Sequence, residues 1–396
     1  MPAQPYDIIT VGAGIAASSF AKSMAERGAR VLLLERETKF KDRVRGEGLV
    51  SWGGGEAREL GILDLLQNSC AHDVPFVDSG MGSRDLRATT PQRLPILSFQ
   101  HPVMQETLLA AAQKAGAEVR RGVTVAHIET GPAPAVIIDA PHHERIVARL
   151  VVAADGRGSV ARKWVGFHVQ EQSNSFYMAG VLLTGVKAPT DTIFFIFNPK
   201  VGMCAVLVSL GDNRFRAYLI YPKALGYRLQ GDAMFALFTA ESPKAFPLLT
   251  DYYAEAKNIG PLASFDTSDS WVDHPYRDGV VLVGDAAAIT DPTFGQGLSL
   301  ALRDARTLRD ELSRDSDWAA AATRYAHQRR VYFHTCHTVE SWLRTLLLDP
   351  SPQAAALRAK AMPLIAQDPS RIPDHINSGL DLPLNDQVRA RMFGEC

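Results

Sequence analysis

A glycine-rich turn near the start of the chain is the first place where residue types and spacing indicate chemistry. Residues 12–17 read Gly-Ala-Gly-Ile-Ala-Ala, a GxGxxA pattern that follows an apolar run. Gly12 permits a tight turn, Gly14 lets the backbone approach a pyrophosphate, and Ala17 lets the next helix pack closely against the strand. The helix that begins beside Ala16 directs free N–H groups and the positive end of its dipole at the turn. The turn therefore predicts a site for a diphosphate.

An acidic residue about 20 positions further on completes the unit. Residues 31–34 form a second apolar run that ends in Glu35, and Arg36 comes next. A carboxylate in this place accepts hydrogen bonds from the ribose hydroxyls of adenosine and disfavours a 2′-phosphate. Strand, turn, helix, strand and acid together predict a Rossmann-type dinucleotide site that suits FAD or NAD rather than NADP.

Three further segments separate FAD from NAD. Residues 150–162 read LVVAADGRGSVAR, residues 280–304 read VVLVGDAAAITDPTFGQGLSLALRD, and residues 43–49 read RVRGEGL. Together with the first turn, this ordered set resembles the para-hydroxybenzoate hydroxylase family of single-component FAD monooxygenases, the group A flavoprotein monooxygenases. The resemblance spans roughly residues 5–310 and weakens in the β-rich insert and beyond about residue 315.

The resemblance implies a role for each segment. Asp155 and Gly156 would support the flavin diphosphate and the nicotinamide donor, and Asp285 would accept hydrogen bonds from the ribityl hydroxyls. The backbone of residues 292–297, at a helix start, would face the flavin ring and stabilise negative charge on it. The implied cofactor-binding residues are Gly12, Gly14, Ala16, Ala17, Glu35, Arg36, Arg43, Arg45, Gln100, Asp155, Gly156, Gly284, Asp285, Pro292, Gly295, Gln296 and Gly297.

Some positions match the family only in part. Arg43 and Arg45 match its Arg-x-Arg segment, which places one or both near the cofactor phosphates or the moving flavin. Gln100 matches a ribityl-contacting glutamine, although many relatives carry arginine there. Many relatives have histidine where this chain has Ala288, so any role of that histidine is absent. The unusual glycine run of residues 53–55 is expected to be a loop, with a mobile turn near the flavin ring as the alternative.

Apolar periodicity predicts the elements that carry these segments. Short buried strands precede the glycine-rich turns, helices follow, and four β-rich runs alternate with turn residues between residues 176 and 221. We therefore expect an α/β fold with a Rossmann-type FAD-binding domain, an inserted antiparallel-sheet (α+β) substrate domain and a helical C-terminal region. The expected bounds are 1–70, 95–165 and 275–315 for the FAD-binding domain, 71–94 and 166–274 for the substrate domain, and 316–396 for the helical region.

The β-rich insert contains many aromatic residues, which by default form the core of its sheet. Because side chains alternate between the faces of a strand, some of them would line a substrate pocket instead. The expected pocket residues are Trp52, Phe195, Phe197, Tyr218 and Phe294. No residue is assigned as catalytic, since His72 and His101 lie near the expected site only by analogy.

Composition limits the partners of the protein. The chain has 396 residues and a net charge of -1, so it lacks the basic excess that binds nucleic acid or an anionic membrane. No long apolar run or secretory signal is visible, so we expect a cytoplasmic protein without integral membrane association. The four cysteines are scattered, and His334, Cys336 and His337 share one helix without a further ligand. We expect reduced thiols and no metal site.

These expectations combine into one leading hypothesis and its alternatives. The resemblance implies that NADH or NADPH reduces FAD, that O2 forms a flavin hydroperoxide, and that its distal oxygen hydroxylates a hydrophobic, aromatic small molecule. No second glycine-rich unit for NAD(P)H is visible, which fits this family and would equally fit a partner reductase.

Three alternatives stay open. The RGEGL segment also resembles the geranylgeranyl reductase branch, which indicates a flavin-dependent alkene reductase. Flavin-dependent halogenation is disfavoured because the chain has no Trp-x-Trp-x-Ile-Pro segment. A non-enzymatic flavin-binding protein is least favoured, since nearly the whole chain is accounted for by cofactor and substrate parts.

Overall fold

The computed structural model describes residues 6–44, 46–139 and 144–395. The helices in these ranges are α1 (Ile15–Ala25), α2 (Ser51–Glu59), α3 (Leu63–Ser69), α4 (Leu86–Thr89), α5 (His101–Lys114), α6 (Ala161–Val165), α7 (Phe235–Ala245), α8 (Leu249–Tyr252), α9 (Gly297–Arg314), α10 (Trp318–Leu347), α11 (Pro352–Gln367), α12 (His375–Ser378) and α13 (Asp386–Phe393). The strands are β1 (Tyr6–Val11), β2 (Val31–Glu35), β3 (Gly48–Leu49), β4 (His72–Val74), β5 (Phe76–Asp78), β6 (Ser83–Asp85), β7 (Ile96–Ser98), β8 (Glu118–Arg121), β9 (Val125–Glu129), β10 (Ala135–Ile138), β11 (Arg145–Ala153), β12 (Gln170–Gln172), β13 (Phe176–Thr184), β14 (Thr192–Asn198), β15 (Met203–Ser209), β16 (Arg214–Pro222), β17 (Lys257–Asn258), β18 (Ala263–Asp266), β19 (Asp269–Trp271), β20 (Tyr276–Arg277), β21 (Val280–Leu282) and β22 (Ala288–Ile289).

The first large sheet has a parallel centre. Its strands run in the order β20-β21-β11-β1-β2-β8; β10 pairs antiparallel with β11, and β9 pairs antiparallel with β10. The pairings from β21 to β8 are all parallel. Parallel sheets are covered on both faces, which is why β1, β2 and β21 read as continuous apolar runs. In β1, Ile8 and Ile9 are both fully buried and belong to the cores on opposite faces.

Helices α1, α5 and α9 cover one face of this sheet. Phe20 of α1, Leu108 of α5 and Leu302 of α9 are fully buried and pack with Ile8 in one apolar cluster. This cluster holds α1 and α9 against the sheet, and both helices begin at glycine-rich turns. The sheet edge that carries those turns is therefore fixed by core packing.

The second large sheet is antiparallel apart from one pairing. Its order is β17-β13-β16-β15-β14-β5-β6, with β18 also paired to β13. The pairing of β5 with β14 is parallel, so the expectation of a wholly antiparallel insert is wrong at this strand. Side chains of β16 alternate: Leu219 and Tyr221 pack in one core with Phe238 of α7, whereas Tyr218 and Ile220 lie on the other face.

Two small sheets connect the parts. Strands β3, β7 and β4 form one, and β12, β19 and β22 form the other. The second joins residues from the β-rich half of the chain to residues 288–289, which follow the Gly284 turn. After α9 the described chain is mostly helical, and none of its described helices is long and apolar enough to span a membrane. The mixed α/β architecture expected from the sequence is confirmed.

The glycine run of residues 53–55 is helical, so the expectation of a loop is wrong. It lies inside α2, which packs against α9. A Cβ added at Gly53 would lie 2.1 Å from Ser299 Oγ and 2.5 Å from Leu49 Cδ1. Glycine is required at this position for the close approach of two helices, which outweighs its poor helix propensity.

This packing leads to a matched pair of substitutions in one helix. Gly53→Ala should lower the free energy of unfolding by about 1–3 kcal/mol, because the added methyl group overpacks the α2–α9 contact. Gly55→Ala should be neutral or stabilising by up to about 1 kcal/mol, since its Cβ would meet only the flexible Gln92 side chain at 3.1 Å. Urea unfolding of both variants measures the difference, and equal effects would contradict the packing account.

Candidate functional site

A cavity of about 460 Å³ opens between the carboxyl edge of the first sheet and one face of the second. Its size suits a small-molecule or cofactor site. It brings together twelve of the residues expected from the sequence: Gly14, Ala16, Arg43, Gly156, Gly284, Asp285, Pro292, Gly295, Gly297, Phe195, Tyr218 and Phe294.

The turn at residues 12–14 is held between two strands. Gly12 has φ of 94°, and its N–H donates to Leu34 O at 2.8 Å. A Cβ at Gly12 would lie 2.5 Å from Ala154 O, so only glycine fits. At Gly14 the situation is reversed, because an added Cβ would meet no described atom within 4 Å. Gly12 therefore shapes the turn, and Gly14 leaves open space at the N-terminus of α1.

The Glu35 carboxylate fastens this turn from the end of β2. It accepts hydrogen bonds from the N–H groups of Ala13 and Glu37, each at 2.9 Å, and it is 8% exposed. A carboxylate offers about four acceptor positions, so these two bonds leave capacity for ribose hydroxyls. The cavity lining does not include four of the expected residues, Gly12, Ala17, Glu35 and Arg36. The Arg36 side chain is largely exposed to solvent.

A second glycine turn, at residues 284–286, lies against the start of α1. Gly284 has φ of 59°, and a Cβ there would come within 3.3 Å of the Ala16 Cβ and 3.7 Å of the Ala301 Cβ. Small residues on α1, α9 and the turn are thus required for these three elements to meet. Their junction places Gly14, Gly284 and the start of α9 on one cavity wall.

Buried Asp304 of α9 holds the second turn in place. Its carboxylate accepts hydrogen bonds from Gly284 N–H at 2.7 Å, Tyr332 OH at 2.5 Å and Arg329 Nε at 3.3 Å. Burial raises the pKa of Asp304, and the nearby Arg329 guanidinium opposes that rise. Sequence reasoning missed this role, although Asp304 ends the matched 280–304 segment.

Arg162 ties the Asp-Gly segment to the second turn. Its Nε donates to Ala286 O at 2.6 Å and its Nη2 to Asp285 O at 2.8 Å. Asp155 Oδ2 accepts from the N–H groups of Val160 and Ala161 at the start of α6. Asp155 Oδ1 is buried and has no hydrogen-bond partner in the described structure, beside the cavity-lining Gly156. A buried acceptor of this kind needs a donor.

The loop before α9 is held in place by hydrogen bonds to the buried Asp291 carboxylate. Asp291 is fully buried and caps the short turn at Pro292–Phe294 through Thr293 N–H, while Arg344 Nη1 donates to it at 2.9 Å. Gly295 has φ of 68°, and added Cβ atoms at Gly295 or Gly297 would meet no described atom within 4 Å. The loop thus leaves space along its cavity side.

Several expected residues support the site without lining it. Trp52 Nε1 donates to Gln296 Oε1 at 2.9 Å, and Gln296 Nε2 donates to Phe294 O at 2.7 Å, so this pair holds the loop. Phe197 stacks on Phe294, with ring centroids 6.1 Å apart. Gln100 lies at the N-cap of α5.

Gln100 itself does not line the cavity, but two residues close to it in sequence do. His101 and Gln105 of α5 are both on the cavity wall, and the His101 ring forms a hydrogen bond with Gly46 O at 2.9 Å.

Of the two expected arginines, Arg43 lines the cavity and forms an ion pair with Glu37. Arg45 lies outside the described residues.

The far end of the cavity is apolar. Strands of the second sheet and the loops opposite supply a wall made of Val77, Met178, Ile193, Phe195, Val206, Val208, Phe265, Ile289 and Phe294. The C-terminal region closes it with Ile376 and Asn377, and Arg84 anchors that segment by two 2.7 Å hydrogen bonds to Asp374. Sequence reasoning missed the contribution of α12, since nothing in its residues marks it as a wall.

One buried ion pair interrupts this apolar wall. Glu47 lines the cavity and binds Arg216, whose Nη2 lies 2.7 Å from Glu47 Oε1 and 2.8 Å from Asp42 Oδ2. Tyr218 OH donates to Glu47 Oε2 at 3.3 Å. Burial raises the pKa of Glu47 to about 7, although Arg216 opposes the shift. Only Glu47 of this pair lies in a segment that the sequence marked, RVRGEGL at residues 43–49, and there roles were assigned to the arginines and not to the glutamate.

No group of three or more metal-ligating side chains occurs in the part of the chain that the structure describes. Cys70, Cys204 and Cys336 are free thiols, and burial raises the pKa of each. His337 of α10 has its Nε2 3.3 Å from Asp269 Oδ2 of β19.

Comparison with known proteins identifies the family. A family model described as FAD binding domain matches residues 5–331, and the chain belongs to this family. The rifampicin monooxygenase of Streptomyces venezuelae is 27% identical over 369 residues, which are 88% of this chain and 73% of that protein.

Solved structures share the fold. The p-nitrophenol 4-monooxygenase PnpA from Pseudomonas putida DLL-E4 has a TM-score of 0.77 at 19% identity, over 94% of this chain and 96% of that chain. The flavin-dependent brominase Bmp2 also has a TM-score of 0.77, at 17% identity, over 99% and 94%. At these identities the likeness concerns the fold alone.

Fold, cavity and family together define an FAD-dependent flavoprotein oxidoreductase. Within that class, the chain is similar to the group A FAD-dependent monooxygenases. The residues present fit the cofactor: the backbone is open at Gly14 and Gly297, and Asp155 Oδ1 is an unsatisfied acceptor in the described structure.

The open space at Gly14 leads to a prediction for FAD affinity. Gly14→Ala should weaken FAD binding at least about tenfold, because its methyl group occupies the space where a diphosphate approaches the backbone. Gly158→Ala is the matched control, since its added Cβ also meets no described atom within 4 Å but Gly158 does not line the cavity. Titration of both apoproteins with FAD, followed by flavin fluorescence, makes the comparison. Equal affinities would contradict this placement of the diphosphate.

Proposed function

We propose that the protein is an NAD(P)H-dependent FAD monooxygenase that uses O2 to hydroxylate a hydrophobic, aromatic small molecule. The observation that carries the proposal is a single cavity with helix N-termini at one end and an apolar sheet face at the other. The first end has the features that a dinucleotide needs, and the second suits an apolar ring.

Different residues at the first end of the cavity would bind different parts of FAD. The N-terminus of α1, at Gly14 and Ala16, would take the diphosphate, and Glu35 would take the adenosine ribose. Asp285 would accept hydrogen bonds from the ribityl hydroxyls, and N–H groups at the start of α9 would face the ring. When bound, FAD supplies the redox chemistry that couples oxidation of NAD(P)H to activation of O2.

The apolar end would hold the substrate and exclude water. Met178, Phe195, Val206 and Phe265 present hydrocarbon surface to the cavity. A dry pocket strengthens the few polar interactions inside it and protects reactive species from water. We assign this end to the substrate, with Phe195, Tyr218 and Phe294 in contact with it and with Trp52 and Phe197 as support.

The expected domain division and electron source belong to the same proposal. Residues 1–70, 95–165 and 275–315 would bind FAD, residues 71–94 and 166–274 the substrate, and residues 316–396 would complete the cavity. NADH or NADPH would bind without a fold of its own, or a partner reductase would deliver the electrons. Such a pyridine-nucleotide donor fits a cytoplasmic location.

The alkene reductase and the halogenase are less favoured than the hydroxylase. Sequence similarity includes a named monooxygenase, whereas the brominase shares the fold at 17% identity. The chain also lacks a Trp-x-Trp-x-Ile-Pro segment.

The proposal is tested with purified FAD-loaded protein and a panel of phenols, indoles and polycyclic aromatics. We expect at least one compound to accelerate NADH or NADPH oxidation several-fold, with uptake of O2 and formation of a product heavier by one oxygen atom. Oxygen uptake and mass spectrometry measure both. Turnover of an alkene without O2, or a product that appears only with added halide, would contradict the proposal.

A further inference from the structure

Two neighbouring rows of side chains on the cavity face of the second sheet differ in type. In the first row, Tyr218 of β16, Val206 of β15 and Phe195 of β14 are cross-strand partners, and all three line the cavity. The Phe195 ring lies 6.3 Å from the Phe294 ring, between centroids, in the loop before α9. Because the proposed function places the flavin ring along this loop, the first row faces the reacting end of the cavity.

The second row lies two residues further along the same strands and is aliphatic. Its members in the cavity wall are Val208 of β15, Ile193 of β14 and Val77 of β5. Ile193 pairs directly with Val77, and all three side chains pack in one apolar cluster. Residues i and i+2 of a strand lie on the same face, about 6.6 Å apart. The second row therefore continues the cavity away from the flavin loop with hydrocarbon surface that is not aromatic.

Both ends of the second row are arginines that already have carboxylate partners. Arg216 and Arg84 are the cross-strand partners of its first and last members, respectively. Arg216 Nη2 donates to Glu47 Oε1 at 2.7 Å, and Arg84 Nη1 and Nη2 each donate to Asp374 at 2.7 Å. Since both guanidinium groups are neutralised by these ion pairs, the row between them favours an uncharged ligand of limited length.

The second row faces apolar residues from two other elements. Ile96 of β7 lines the cavity and packs in the same cluster as the row. Ile376 of α12 also lines the cavity, and its carbonyl oxygen accepts a hydrogen bond from Gln296 Nε2 at 3.3 Å. We call the space bounded by Val77, Ile96, Ile193 and Val208 the aliphatic groove.

We propose that the aliphatic groove binds an uncharged hydrocarbon chain carried by the aromatic substrate. The proposal rests on the monooxygenase function and names its substrate class, alkyl-substituted aromatic compounds. The substrate ring lies against Phe195 and Tyr218, and its chain crosses β15, β14 and β5. Neighbouring strands are about 4.8 Å apart, so these three strands span about 10 Å, which is room for a chain of roughly six to eight carbons.

The types of side chain explain why the groove suits a chain rather than a second ring. Burial of methylene groups is favourable in proportion to their apolar area and has no preferred direction, so aliphatic walls are sufficient for it. Aromatic rings gain further from edge and face contacts with other rings, and the first row offers such contacts. Val77, Ile193 and Val208 are β-branched and stiff at χ1, so the groove keeps a fixed width.

Binding of a series of 4-alkylphenols to the FAD-loaded protein, measured by calorimetry without NAD(P)H, tests the groove. Each added methylene should lower Kd about fourfold, so 4-hexylphenol should bind about 10² more tightly than 4-ethylphenol. The gain should stop at roughly six to eight carbons, where the row ends at Arg84. Equal Kd values across the series, no binding of any member, or a gain that continues unchanged through 4-decylphenol would overturn the proposal.

Substitutions in β14 test where the chain lies. Ile193→Phe should fill the groove and weaken binding of 4-hexylphenol at least about tenfold, while 4-ethylphenol changes less than about threefold. Ile193→Ala should move the end of the gain to chains longer by about one or two carbons, a shift that misfolding does not produce. Ile196→Phe is the matched control, because Ile196 is half-buried on the other face of the same strand and does not line the cavity. It should keep the wild-type dependence on chain length, and a wild-type dependence in both Ile193 variants would overturn the proposal.

Comparison of binding with turnover separates the groove from the function on which it rests. Oxygenation of phenols with no dependence of Kd on chain length would reject the groove and keep the monooxygenase. A chain-length limit in binding without O2-dependent oxygenation of any member would reject the monooxygenase and keep the groove.

Discussion

The structure depends on the close approach of two helix N-termini and one glycine turn. Helices α1 and α9 meet the turn at Gly284, where Ala16 and Ala301 lie so near that an added Cβ would fall within 3.3 and 3.7 Å of theirs. A bulkier residue at any of these positions would separate the elements, because packed interiors leave no spare volume. This contact directs the free N–H groups of both helices toward one cavity.

Two buried carboxylates hold the two glycine turns in fixed positions. Glu35 binds the N–H of Ala13 in the first turn, and Asp304 binds the N–H of Gly284 in the second. Each reaches its turn from a neighbouring element, β2 or α9, so each turn is held to the core rather than to its own loop. With the turns fixed, the free N–H groups at the neighbouring helix starts are preorganised and bind anionic groups without reorganisation when the ligand arrives.

The second sheet completes the site with a different chemistry. Its cavity face is hydrocarbon apart from Tyr218, and Glu47 and Arg216 lie beneath that tyrosine as a desolvated pair. The cavity therefore has backbone donors at one end and, at the other, an apolar wall interrupted by Tyr218 and the buried Glu47. In a monooxygenase this gradient would separate cofactor from substrate and place the reacting atoms between them.

The sequence predicted the parts that depend on short-range patterns. The turn at Gly12–Gly14, the acid at Glu35 and the turn at Gly284 all follow apolar strands, and their neighbours in sequence are also their neighbours in space. The four β-rich runs between residues 176 and 221 were predicted from their local pattern, and they correspond to β13, β14, β15 and β16.

Other parts could not be predicted because their partners are distant in the chain. Glu47 and Arg216 are 169 positions apart, and the Trp52 and Gln296 side chains that meet are 244 apart. Neither residue of such a pair has a local pattern that names the other. Gly53 was misjudged because its reason is a contact with Ser299 of α9, which overrides the low helix propensity of glycine.

A crystal structure of the protein grown with FAD tests the central claim most directly. The account requires density for the diphosphate at the N-terminus of α1 and for the ribityl chain beside the Asp285 carboxylate, with the flavin ring along residues 292–297. FAD bound elsewhere, or a cavity that stays without FAD at saturating concentration, would contradict it.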